Sequence, residues 1–187
     1  SRLAQAYLCT DTRAFQIPGA IMTGKSSSLR HLYVNVSLGA TAGLAGYLVW
    51  RCVKSSRKST DICLKWLEEK QKEDGVTKLK SGLMYRVVET GSGTKSPGPG
   101  TPCDCHYEGK LIDGTKFDSS YDRGAPLSFA PDDVIPGWTE AMQLMKEGDK
   151  WELFIPADLG YGAFGIPGVI PPNAALHFVM QLVKVKD

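Results

Sequence analysis

Apolar and polar residues alternate along several short stretches of the C-terminal part of the chain, and this alternation predicts half-buried β-strands. Cys103, Cys105 and Tyr107 alternate with polar residues. Asp113-Gly114 is a dipeptide typical of tight hairpin turns, so a second strand is predicted to follow it. The further predicted strands are residues 83–88, the residues around Phe117, residues 150–155 and residues 176–185.

A different period marks one helix among these strands. Trp138, Ala141, Met142 and Met145 are spaced i, i+3, i+4 and i+7, and Gly148 follows as a stop. Many short strands with a single amphipathic helix predict an α+β domain, in which an antiparallel sheet packs on that helix.

A short charged helix is predicted to precede this domain. It begins at Ser59 or Thr60, which are capping residues, and Gly75 is predicted to end it. The charged run 68–73 is interpreted as a solvated face. The apolar residues at helical spacing are Ile62, Cys63, Trp66 and Leu67.

The run from Leu32 to Trp50 contains nineteen residues without Asp, Glu, Lys or Arg. As a helix it spans about 28 Å, which is close to the hydrocarbon thickness of a bilayer. We therefore predict a transmembrane helix at 32–53, while a buried or partner-covered helix stays open because the run is rich in small residues. Gly39 and Gly43 form a GxxxG pattern, which favours close approach of a second membrane helix.

Residues 1–31 are basic and contain a single acidic residue, Asp11. This composition is typical of organellar presequences and favours the mitochondrial inner membrane, with the endoplasmic reticulum and plastids as alternatives. Orientation in the membrane stays open. The predicted organisation is a presequence-like tail at 1–31, the transmembrane helix at 32–53, a basic linker with the amphipathic helix at 54–77, and the folded domain at 78–187.

Charge and cysteine content limit the functions that this chain can have. A net charge of +2 does not provide the basic stripe of a nucleic-acid-binding protein. Cys103 and Cys105 lack the second cluster that a zinc site needs, so they are predicted to be core residues and no metal or cofactor is expected. His106 and His177 fall opposite the core positions of their strands and are predicted to be exposed or hydrogen-bonded.

The candidate chemistry lies in aromatic residues rather than in a nucleophile. Serine-hydrolase, P-loop and zinc-protease motifs are absent from the sequence. From composition alone, six aromatic residues form either a plain core or an apolar pocket, and both interpretations stay open. These residues are Tyr107, Phe117, Phe129, Trp138, Tyr161 and Phe178.

Four stretches decide between these interpretations by resemblance: YEGKLIDGTKFDSS (107–120), VIPGW (134–138), YGAFGIPGVIPPNAAL (161–176) and HFVMQLVKV (177–185). In this order and spacing they resemble the FKBP-type peptidyl-prolyl cis-trans isomerases. The charged helix and the segment LKSGL at 79–83 resemble the Mip-type members. The resemblance covers about 110 residues and implies the FKBP-like fold, an antiparallel β-sheet wrapped on one short α-helix.

The resemblance also implies the site. It assigns catalytic roles to Tyr107, Asp118 and Tyr161, with Tyr161 as the hydroxyl donor to the substrate carbonyl. The residues implied to bind substrate are Phe117, Arg123, Val134, Ile135, Trp138, Val169, Ile170 and Phe178. Leu127, Gly160 and Ile166 depart from the usual family pattern, which affects the expected sequence preference and drug affinity more than activity.

The expected function is that of a membrane-anchored prolyl isomerase acting on proline-containing protein clients and inhibited by macrolides such as rapamycin. Two alternatives stay open. One is an accessory structural subunit of an organellar membrane complex, held by transmembrane-helix partners, in which the domain serves as an interaction module. The other is a scaffold that binds proline motifs without turnover.

Overall fold

The computed structural model describes residues 59–186 of the chain. The predicted presequence-like tail and the predicted transmembrane helix lie outside these residues. Within residues 59–186, no helix combines the length and the apolar character that crossing a bilayer requires.

The described chain forms one antiparallel sheet of seven strands with two α-helices. The strand order is β1-β2-β6-β7-β3-β4, and β5 pairs with β3 beside β4. In chain order the elements are α1 (59–70), β1 (Val76–Lys78), β2 (Met84–Glu89), β3 (Cys103–Leu111), β4 (Lys116–Ser119), β5 (Leu127–Phe129), α2 (Pro136–Leu144), β6 (Lys150–Ile155) and β7 (Leu176–Val185).

The core lies on the face of the sheet that α2 covers, which we call the inner face. Cys103 and Cys105 are fully buried there and Tyr107 is 4% exposed, so the predicted alternation in β3 is confirmed. Burial raises the pKa of the Cys105 thiol to about 12, which keeps it in the neutral form expected of a core residue. The inner-face residues of α2 are Trp138, Ala141, Met142 and, just after its end, Met145.

The hairpin between β3 and β4 forms where the sequence predicts it. Gly114 has a φ of +86°, a conformation that glycine adopts without steric cost. The backbone N–H of Thr115 donates to the Asp113 carboxylate at 2.9 Å, which stabilises the turn locally. This turn leads directly into β4, which carries Phe117.

Helix α1 packs on the opposite, outer face of the sheet. Cys63 is 6% exposed, and its sulfur accepts a hydrogen bond from the backbone N–H of Ala175 at 3.3 Å. The Trp66 ring lies edge-on to Phe154 with the centroids 5.7 Å apart, and Phe154 stacks on His177 at 5.4 Å. A small second core therefore lies beneath α1.

Three details of this region correct the sequence-based expectations. Within the predicted apolar stripe, Cys63 and Trp66 contact the sheet as expected, but Ile62 is 48% exposed. The helix ends at residue 70 rather than at Gly75, and β1 starts at Val76, two residues before the predicted domain boundary.

The charged run at the end of α1 is not simply a solvated face. The Lys70 Nζ atom lies 5.6 Å from the centroid of the Phe154 ring and 2.6 Å from the Glu73 carboxylate, with which it forms an ion pair. Glu73 also accepts from Arg86, whose guanidinium pairs with Glu152 in the sheet. These contacts link the end of α1 to β2 and β6.

We predict that Trp66→Ala lowers the free energy of unfolding by about 2 kcal/mol, because it removes the indole that packs against Phe154. The value is below the roughly 3–5 kcal/mol of a fully buried aromatic residue, since Trp66 is half-buried. Urea unfolding of the full chain measures this change. Leu64→Ala is the matched control: Leu64 is 54% exposed on the same helix, and a change within about 0.5 kcal/mol is expected. Equal losses in the two variants would contradict the docking of α1 through Trp66.

We predict a pH dependence from His177. Burial lowers the pKa of His177 below its ordinary value of 6.5, although Nε2 lies 2.7 Å from the Glu152 carboxylate, which acts in the opposite direction. As the pH falls below about 6.5, His177 therefore binds a proton in the unfolded chain before it does so in the folded chain. Over this range the free energy of unfolding decreases, and the decrease stops once the pH is below the folded-state pKa. His177→Gln removes this part of the pH dependence in urea unfolding at pH 7.5 and 5.5. A His177 ring that titrates above 6.5 by NMR would overturn the prediction.

Candidate active site

Three aromatic side chains from three different elements meet on the inner face. Tyr107 comes from β3, Trp138 from α2 and Phe178 from β7. The Trp138 ring centroid lies 4.9 Å from that of Tyr107 and 5.1 Å from that of Phe178, with edge-to-face geometry in both pairs. Such arrangements are favoured by the charge distribution of aromatic rings. We call these three residues with Phe117 and Phe129 the ring cluster.

Phe117 and Phe129 extend the cluster at its two ends. Phe117 lies edge-on to Phe178 at 5.5 Å, and Phe129 lies 5.8 Å from Trp138. Sequence analysis named Phe129 among the six aromatic residues of a core or pocket, but the family resemblance assigned it no role in the site.

Gly109 makes room for the ring cluster, and sequence reasoning missed it as well. A Cβ atom at this position would lie 2.6 Å from Phe178 and 2.7 Å from Phe117, closer than real Cβ contacts. A glycine inside a strand marks such close approach, so the signal was present in the pattern of β3.

A closed set of hydrogen bonds holds the Tyr107 hydroxyl beside the ring cluster. The hydroxyl donates to Asp118 Oδ2 at 2.6 Å, and Arg123 Nη2 donates to the hydroxyl oxygen at 2.7 Å. Arg123 Nη1 completes the triangle by donating to Asp118 Oδ1 at 2.5 Å. The three predicted polar residues of β3, β4 and the following turn are therefore in mutual contact.

Burial and the hydrogen bond to Asp118 keep the Tyr107 hydroxyl protonated. Burial raises the pKa of Tyr107 above its ordinary value of 10, and the hydrogen bond to Asp118 raises it further. The hydrogen bond to Asp118 is the main cause that raises the pKa of Arg123. Tyr107 therefore remains a neutral donor, and its proton is directed at Asp118.

Of the remaining predicted residues, most belong to the hydrophobic core or pack against it. Ile135 and Ile170 are buried at 5% and 2% exposure, and the half-buried Val134 and Tyr161 pack against the same core. Val169 is 41% exposed, on a loop whose shape is fixed by reciprocal backbone hydrogen bonds of 2.8 Å between Ile166 and Ile170. The structure thus places Val169 at the surface and the others at the core.

The buried indole of Trp138 has an unusual feature. Trp138 is 5% exposed, and no described residue accepts a hydrogen bond from its Nε1. Buried donors without partners are rare in folded proteins. Trp151 has the same feature on β6, so the unpaired indole does not by itself identify the site.

Within residues 59–186, no group of three histidine, cysteine or acidic side chains could hold a metal ion. The arrangement is a buried aromatic cluster with a polar triangle at one side.

Comparisons with known proteins identify the family of this domain. The family model described as FKBP-type peptidyl-prolyl cis-trans isomerase matches residues 93–183. The crystal structure of FkpA from Escherichia coli is similar with a TM-score of 0.71 at 41% identity, covering 78% of this chain and 68% of that one. The chain belongs to the FKBP-type peptidyl-prolyl cis-trans isomerase family.

Two further family members extend this comparison. A peptidyl-prolyl cis-trans isomerase structure from Pseudomonas syringae has a TM-score of 0.66 at 32% identity, covering 71% of this chain and 96% of that one. The macrophage infectivity potentiator of Trypanosoma cruzi is 49% identical over 122 residues, which are 65% of this chain and 62% of that protein. The chain therefore spans less than two thirds of this curated relative, and the Mip-like resemblance at the sequence level is supported.

We predict that Gly109→Ala loosens the ring cluster of this FKBP-type domain. The added methyl group displaces Phe117 or Phe178 and lowers the free energy of unfolding by about 1–3 kcal/mol, as overpacking does elsewhere. Urea unfolding and near-ultraviolet circular dichroism of the full chain measure both effects. Gly100→Ala is the matched control, because a Cβ there meets only an ordinary contact at 3.8 Å. Unchanged stability and aromatic dichroism in Gly109→Ala would contradict the packing described here.

Proposed function

We propose that the protein is a peptidyl-prolyl cis-trans isomerase that accelerates rotation about X–Pro bonds in protein clients. The observation that carries the proposal is the packing of Trp138 against Tyr107 and Phe178 in a domain of the FKBP-type family. Such a group of aromatic rings matches the apolar character of a proline ring.

The reaction requires little chemistry from the protein. Amide resonance gives the peptide bond a rotational barrier of about 18–20 kcal/mol, and the cis and trans forms of an X–Pro bond are close in energy. The twisted transition state has lost this resonance and is less charge-separated than the planar amide. A dry aromatic enclosure therefore favours it over the ground state.

The proposal gives each side chain a role. Trp138 is the floor beneath the proline ring, and the Tyr161 hydroxyl donates to the carbonyl of the substrate. Asp118 acts through Tyr107 and Arg123, since both of its carboxylate oxygens are engaged by them. An ion pair of Asp118 with Arg123 is compatible with this orienting role.

The remaining predicted residues line the space around the substrate in this proposal. Phe117 and Phe178 form the apolar wall, and Ile170 with the exposed Val169 forms the rim. Val134 and Ile135 contact the substrate backbone at the start of α2. The same enclosure is proposed to bind macrolides such as rapamycin.

We also propose that the chain is tethered to a membrane through residues 32–53. This proposal is supported by the uncharged run from Leu32 to Trp50 in the sequence and concerns residues outside the described part of the chain. In the sequence, the basic segment 54–58 connects this run to the isomerase domain. The mitochondrial inner membrane is the proposed location, on the basis of the acid-poor composition of residues 1–31.

The direct test of catalysis measures cis-to-trans rates of a prolyl peptide with the full chain. We predict turnover that rapamycin blocks, and losses of about tenfold in Tyr161→Phe and Asp118→Ala, which correspond to about 1.4 kcal/mol of transition-state stabilisation each. Matched controls are Tyr121→Phe and Asp122→Ala, because Tyr121 is 41% exposed and Asp122 pairs with Lys116 at the surface. A folded wild-type chain without turnover would exclude the enzymatic function and favour a binding scaffold.

The test of tethering is alkaline carbonate extraction of membranes from cells that express the full chain. We predict that the chain stays in the membrane fraction and that Leu44→Arg, which places a charge inside the uncharged run, releases it. Quantitative extraction of the unaltered chain would contradict the membrane proposal while leaving the isomerase proposal intact.

A further inference from the structure

The ladder between β3 and β4 changes its pattern at Ser120. Regular pairs join Gly109 to Asp118 and Glu108 to Ser119. The next pair along the ladder is Tyr107 with Ser120, and the Ser120 N–H donates to the Tyr107 carbonyl at 2.9 Å. In a regular hydrogen-bonded antiparallel pair, the Tyr107 N–H would donate to the Ser120 carbonyl in return.

The Ser120 hydroxyl takes the place of that carbonyl. The Tyr107 N–H donates to Ser120 Oγ at 2.7 Å, and the Ser120 side chain is fully buried. The same oxygen lies 3.0 Å from His106 Nδ1 and 3.2 Å from the Tyr107 carbonyl. The serine hydroxyl therefore completes the strand pairing with its side chain.

Because the hydroxyl takes this role in the ladder, the Ser120 carbonyl can accept a different hydrogen bond. It accepts the N–H of Arg123 at 3.2 Å, which closes the turn that follows β4. Asp118 lies two residues before Ser120 and Arg123 three residues after it, and both contact the Tyr107 hydroxyl. Ser120 thus joins the Tyr107 backbone to the segment that holds the Tyr107 side chain.

We propose that Ser120 is a positioning residue for the Tyr107–Asp118–Arg123 triangle; its catalytic consequence rests on the isomerase function proposed above. An alanine at this position lacks the hydroxyl that accepts the Tyr107 N–H, so only a shift of the residue-120 carbonyl, which already accepts the Arg123 N–H, could replace that acceptor. Either the Tyr107 N–H stays buried without a partner, or the carbonyl returns to the ladder and the turn that presents Arg123 opens.

Ser119 supplies a matched control. It is the neighbouring serine and is also buried, at 4% exposure. Its hydroxyl accepts only a long hydrogen bond of 3.4 Å from the backbone N–H of Asp122 among the described contacts. Ser119→Ala therefore removes the same atom from an adjacent buried position without affecting the Tyr107 pairing.

The test is a double-mutant cycle between Ser120→Ala and Tyr107→Phe in the full chain. Ser120 contacts the Tyr107 backbone and not its hydroxyl, and the proposed route that couples these changes runs through Asp118 and Arg123. If the two changes were independent, the factors by which the single variants lower the folding equilibrium constant would multiply. We expect the folding equilibrium constant of the double variant to be at least about threefold larger than this independent value. In the cycle of Ser119→Ala with Tyr107→Phe, we expect the two factors to multiply. Ser120→Cys, which retains a weak acceptor, replaces Ser120→Ala if that variant does not fold.

The same variants are assayed for prolyl isomerisation. We expect Ser120→Ala to lower kcat/KM about tenfold and Ser119→Ala to change it less than twofold. When Tyr107 is already replaced by Phe, we expect Ser120→Ala to cause no further loss of kcat/KM. Multiplicative losses in the unfolding cycle would overturn the positioning role, as would full activity of Ser120→Ala in an active enzyme. A wild-type chain without turnover that still shows the coupling in unfolding would exclude the proposed function and leave the structural role of Ser120 standing.

Discussion

The ladder between β3 and β7 joins the two longest strands of the described sheet and runs from Cys103 and Val185 to Leu111 and Leu176. Because side chains alternate between the two faces, the register from Cys105–Leu182 to Leu111–Leu176 places Tyr107 and Phe178 together on the inner face. A slip of one residue in β7 relative to β3 would turn Phe178 away from Tyr107 and bring His177 to the inner face. The position of the ring cluster, and with it the packing of Trp138 against Tyr107 and Phe178, depends on this ladder.

The two faces of the same strand serve different purposes. Phe178 faces α2 and the ring cluster, while the adjacent His177 faces α1 and stacks on Phe154. The hydrogen bond from Ala175 to Cys63 attaches α1 just where the loop that carries Tyr161 and Ile170 joins β7. Helix α1 is therefore packed as part of the domain and is more than a spacer that precedes it.

Much of this fold could be predicted from the sequence because it rests on local signals. The alternation in β3, the uninterrupted patterns of β6 and β7 and the Asp113-Gly114 turn each contain enough residues to show their period. Strands β1 and β5 have three residues each, which is too short for any pattern. Helical periodicity indicated that Cys63 and Trp66 share a face, but it contained no information about Phe154 as their partner, since that contact joins residues far apart in the chain.

The site was less predictable from the residues alone. Composition left the aromatic residues as either core or pocket, and the resemblance to a family was needed to select Trp138 and Tyr161. The Asp118–Arg123 pair followed from the same resemblance. The roles of Gly109 and Ser120 depend on backbone geometry across two strands, which no local pattern specifies. The structure adds these supporting positions, and the catalytic roles themselves remain proposals.

The central claim is that the ring cluster receives proline on Trp138. Its most direct test follows the indole N–H signals of the tryptophans by NMR in the full chain. A prolyl peptide and its proline-to-alanine counterpart are titrated in turn, with Trp→Phe variants used to assign the four indoles. Trp151 is an internal control, because its Nε1 is equally buried and has no partner among the described residues, while its ring stacks on Tyr85. The account predicts a saturable shift of the Trp138 signal with the prolyl peptide alone and a much smaller change at Trp151. Equal shifts with both peptides, or a Trp138 signal that does not respond, would contradict it.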